Sequence, residues 1–105
     1  MGIAASTMPD ELEAGWRALG LWQDLSLADA LARAARTRPD APLHFIGARG
    51  ESVTTLEQVH AQGLALAGSF HALGLRPGDT IAMQLPNGLE NAVLFQAAAM
   101  LGCTL

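Results

Sequence analysis

The chain has 105 residues, half of them hydrophobic and only 15% charged, with 10 acidic against 6 basic side chains and a net charge of −4. That length is enough for one domain with a small core, and the acidic balance argues against nucleic-acid binding, which wants a basic stripe. All six basic residues are arginines, so Schiff-base and phosphate-loop lysines are excluded within the chain, and the single cysteine, Cys103, excludes an internal disulfide.

No apolar stretch approaches the ~18 residues of a membrane span. The first ten residues lack the basic region and apolar run of a secretory signal. A cytoplasmic location is therefore expected. The charged share is low against a usual ~25%, which predicts that some apolar surface is covered by a partner chain or by more of the same chain, in preference to an Ala-rich helical domain with a plain core, whose alanines inflate the hydrophobic count.

Residues 1–9 read as a disordered leader ended by Pro9, although Met1 to Ser6 matches the short myristoylation pattern. Residues 10–105 form the remaining body. Asp10, Glu11 and Glu13 sit where a helix amino terminus favours acids, Trp16 and Leu19 give it an apolar side, and Gly20 stops it. Both tryptophans, Trp16 and Trp22, are expected to pack this leader helix onto the body. Ser26 with Asp29 three residues on predicts a capped second helix. Its apolar stripe is Leu27, Ala30, Leu31, Ala34 and Ala35, and Pro39 ends it.

Leu43 to Ile46 predicts a strand, Gly47 to Gly50 a turn, and Glu51 to Thr54 an antiparallel return. Thr55 and Gln58 predict a second capping box. The helix that follows places Leu56, Val59, Gly63, Leu66, Phe70 and Leu73 on one face. Gly63 and Gly68 cost this helix roughly 1 kcal/mol each against Ala, which predicts a closely packed neighbour at both. Gly74 is its left-handed cap, and Pro77-Gly78 fits a type II turn. Thr80 to Leu85 then reads as a strand. Asn87 caps a last helix through about Met100, with Leu89, Val93, Gln96 and Met100 on one side. Gly102 closes it, and Cys103 to Leu105 begins another strand.

Strand, helix, strand makes a βαβ unit with parallel strands. The fold class is α/β, helices with a β-hairpin followed by a βαβ unit. The chain stops as its last strand begins, so it is expected to be a cut piece.

The local candidates for chemistry are few. Asn87 at a helix start could help hold an anion, but an ordinary N-cap is the preferred reading. His60 and His71 lie eleven residues apart, about three helical turns, too far to chelate one ion, and His44 stands separately. Asp79 and Glu90 as paired carboxylates lose to a turn role for Asp79. Cys103 reads as an inert core thiol. No catalytic, cofactor-binding or metal residue is assigned.

Several of these runs together resemble the amino-terminal part of the adenylate-forming (AMP-binding) superfamily, the acyl- and aryl-CoA synthetases. Gly20-Leu21-Trp22 followed by Ser26-Leu27-Ala28-Asp29 resembles the family's opening, and Arg38-Pro39-Asp40-Ala41-Pro42 its turn before the first strand. Ser52 to Leu56 is similar to the strand-to-helix step. Leu73 to Asp79 and Gln84 to Asn87 with Glu90 complete the order. The resemblance implies the amino-terminal portion of the large domain of an acid–CoA ligase of fatty-acid or cyclohexanecarboxylate type. It implies ATP, Mg and coenzyme A for the full-length parent, with a carboxylic acid as substrate, and none of these bound by this segment. The family's Ser/Thr/Gly-rich loop, acidic nucleotide motif and catalytic lysine do not occur here, so the segment alone is expected to be inactive. Its partners are then the remainder of the ligase chain or another copy of itself. The alternative is a stand-alone, non-catalytic binding or regulatory module that self-associates or binds a partner protein.

Overall fold

The structure is a computed structural model that describes residues 9–105. The leader expected over 1–9 and the lipidation pattern lie outside the described residues, Pro9 excepted. The elements in order are α1 (Asp10–Ala18), α2 (Leu27–Thr37), β1 (Pro42–Gly47), β2 (Gly50–Thr55), α3 (Leu56–Ala72) and α4 (Leu89–Leu101).

Local chemistry sets the helix starts. The Ser26 hydroxyl accepts from the Asp29 N–H while the Asp29 carboxylate accepts from the Ser26 N–H, a complete capping box opening α2. Thr55 and Gln58 form the same reciprocal pair at α3. The helix ends are equally local. Gly20, Gly74 and Gly102 adopt positive φ of 71°, 102° and 72°, a region other residues enter only at a steric cost. At each end two N–H groups turn back onto otherwise unpaired helix carbonyls. After α3, for example, Gly74 N–H donates to His71 and Leu75 N–H to Phe70.

β1 and β2 pair antiparallel from Pro42↔Thr55 to Gly47↔Gly50. No non-glycine residue among those described has a positive φ, so Ala48 and Arg49 do not form a mirror-image turn; Gly50, at 110°, supplies the positive φ just after them.

The core lies where α3 crosses α4. Val59, Ala97 and Ala98 are fully or almost fully buried there, with Ala67, Val93 and Leu94 around them. Gly63 fulfils its expected role: a Cβ at that position would stand 2.9 Å from the Cβ of Gln96. Gly68 does not, because a Cβ there meets nothing within 4 Å. The α3 face is also corrected at its end. Leu73 is 78% exposed and Ala67 takes the buried place, since Leu73 lies in the cap after the last full turn. On α2, Ala35 is buried while Leu27 is half exposed.

The type II turn is present. Gly78 has φ of 92° and Asp79 N–H donates to the Arg76 carbonyl at 3.1 Å. The stretch Thr80 to Leu85 is not a full strand. Only Thr80 bridges, parallel to Thr104, through Ile81 N–H to the Thr104 carbonyl and Thr104 N–H to the Asp79 carbonyl, each at 2.8 Å. A ladder needs a partner alongside, and apart from that bridge none of the described residues pairs with this stretch. The parallel direction expected of the βαβ unit is nevertheless seen.

Candidate functional site

A cleft of about 700 Å³ lies between the hairpin and the loop entering α4. Phe45, Ile46 and Leu85 give it apolar walls, and Arg49, Ser52, Asn87 and Glu90 are polar members of its lining. The hairpin brings Arg49 there because the chain reverses at Ala48-Arg49, and the loop brings Asn87 because Pro86 precedes the α4 start. The two walls come close at Gly47, where an added Cβ would lie 4.0 Å from the Asn87 carbonyl oxygen.

Asn87 is not the N-cap. That position falls to Gly88, whose backbone is extended and which offers no side-chain hydrogen bond. The sequence favours Asn as a cap, but the helix begins one residue later, and Glu90 in the first turn supplies the favourable negative charge. Nor do the other candidates converge. The Asp79 carboxylate accepts from the Arg76 N–H at 2.7 Å and so belongs to the turn, whereas Glu90 lines the cleft.

His60 Nδ1 lies 3.3 Å from Gln96 Oε1, tying the one buried polar side chain of α4 to α3. His44 pairs with Glu51 across the exposed hairpin. No group of three or more His, Cys, Asp or Glu among the described residues could hold a metal ion. Cys103 is half buried, its thiol 3.5 Å from the Arg76 carbonyl oxygen.

The tryptophans form a cluster that the sequence did not reveal. Trp16 and Trp22 pack on each other with centroids 6.3 Å apart, and the Arg17 guanidinium stands 5.2 Å from the Trp22 ring centre. Arg17 also bonds Asp24 at 2.8 Å and Glu13 at 2.9 Å. Its pKa is raised above the ordinary value, first by the Asp24 hydrogen bond and then by Glu13. α1 buries none of its residues, so the tryptophans brace the leader helix against its own following loop. The i,i+4 spacing of Glu13 and Arg17 was the one available signal. At α2, the Ser26 hydroxyl, followed by its backbone N–H, holds the Asp29 carboxyl below the ordinary range.

The cleft's charged lining is balanced. It offers one guanidinium, Arg49, opposed by a carboxylate, Glu90, and the chain contains no lysine. Around the cleft the chain assembles a parallel strand contact, a tightly packed helix pair and a hairpin.

The AMP-binding enzyme family profile matches residues 31–105. The chain is 37% identical over 94 residues to 2-hydroxy-7-methoxy-5-methyl-1-naphthoate–CoA ligase of Streptomyces carzinostaticus, covering 90% of this chain and 16% of that protein. It is 36% identical over 96 residues to the medium-chain fatty-acid–CoA ligase of Escherichia coli (strain K12), covering 91% of this chain and 17% of the relative. Among solved structures, Mycobacterium smegmatis MbtA superposes with a TM-score of 0.76 at 32% identity, over 93% of this chain and 18% of the other. The chain spans about one-sixth of the length of the curated relatives named above. Its α/β arrangement resembles the amino-terminal part of adenylate-forming enzyme structures, and the chain belongs to the AMP-binding enzyme family.

Proposed function

We propose that this chain serves as the amino-terminal framework of an ATP-dependent acid–CoA ligase. In this reading the whole protein activates a carboxylic acid as an acyl-adenylate and passes the acyl group to coenzyme A, with Mg accompanying the nucleotide. The family match over residues 31–105 carries the reading. The relatives support the acid-activating half broadly, for they include CoA ligases and the salicyl-AMP ligase of Mycobacterium tuberculosis (strain ATCC 25618 / H37Rv). A fatty or cyclic acid is the proposed substrate class, and the cytoplasm the proposed location. Among the described residues no helix is long and apolar enough to cross a membrane.

The 105-residue chain itself contributes packing and no catalytic group. Its test is ATP–pyrophosphate exchange with a panel of fatty, aromatic and alicyclic acids. The isolated chain is expected to give none, and the product of the native reading frame, identified by intact mass, is expected to exchange. Exchange by the isolated chain would overturn the framework role. Absence of exchange from a product several times heavier, across the panel, would overturn the ligase reading.

A second reading is favoured by one observation. Leu19, Leu21, Ile46 and Leu73 are 73–78% exposed, apolar side chains that a covering protein surface would take out of water. A stand-alone module that covers these residues by self-association, or with a partner protein, accounts for that surface. Sedimentation separates the two readings when combined with mass: a native product ending near Leu105 that forms a defined oligomer supports the module.

A further inference from the structure

We draw no further inference here: the strongest candidate, the apolar stripe of Leu12, Trp16 and Leu19 that α1 leaves largely exposed, carries nothing because no feature of the structure shows what covers it.

Discussion

The α3–α4 crossing and the α1 segment hold themselves together by opposite means. At the crossing, small side chains let two backbones approach, and Val59 and Ala97 lose all contact with water. α1 itself buries no residue, and with the loop that follows it makes an aromatic pair and two exposed ion pairs. Apolar burial contributes roughly 25 cal/mol per Å², whereas exposed ion pairs contribute about 0–1 kcal/mol. Stability should therefore concentrate in the crossing, with α1 opening at little cost.

The largest effect should come from Val59→Ala. Removing two fully buried methyls loses transfer energy and leaves a cavity, together about 2 kcal/mol. The urea midpoint should fall accordingly; an unchanged midpoint would mean that the crossing is not the stabilising centre.

The two glycines of α3 sharpen the same point because their substitutions should differ in sign. Gly63→Ala gains helix propensity of about 1 kcal/mol but drives a Cβ into Gln96, and overpacking costs about 1–3 kcal/mol. A net loss is expected. Gly68→Ala meets open space and should raise stability by about 0.5–1 kcal/mol. Equal responses in paired thermal melts would contradict the close approach at Gly63.

A smaller effect belongs to Asp29. Its folded-state pKa lies below the ordinary 3.8, so its stabilising contribution is fully present above that value and is lost as pH falls through the lowered one. Amide exchange of the first turn of α2 should accelerate over that acidic window, and Asp29→Asn should remove the pH dependence. Persistence of the acidic loss in Asp29→Asn would assign it to another group.

The smallest effect on global stability is expected at Arg17. Arg17→Met should leave the urea midpoint unmoved while speeding amide exchange in α1. A shifted midpoint would show that α1 is coupled to the body after all.

Much of this framework was legible because its instructions are short. Ser26 with Asp29, Thr55 with Gln58, and Pro77-Gly78 act within three or four residues, where spacing alone specifies the hydrogen bonds. The misreadings fall where distant atoms decide. Asn87 looked like a cap, yet the cap position fell to Gly88. Gly68 resembled Gly63 in sequence, yet only one of them faces α4. Thr80 to Leu85 had strand composition, but a strand also needs a partner alongside. The cleft was illegible for the same reason, since Arg49 and Glu90 meet around it only after the hairpin and α4 are in place.

The three glycine-terminated helix ends have a consequence for the order of events during synthesis. Each stop is written within a window of about six residues, so it can form before any distant neighbour exists. A ribosome releasing this chain from its amino terminus emits α3 and its Gly74 terminus before α4 emerges. The first helix of the crossing can thus wait with its length already fixed, and the second needs only to dock.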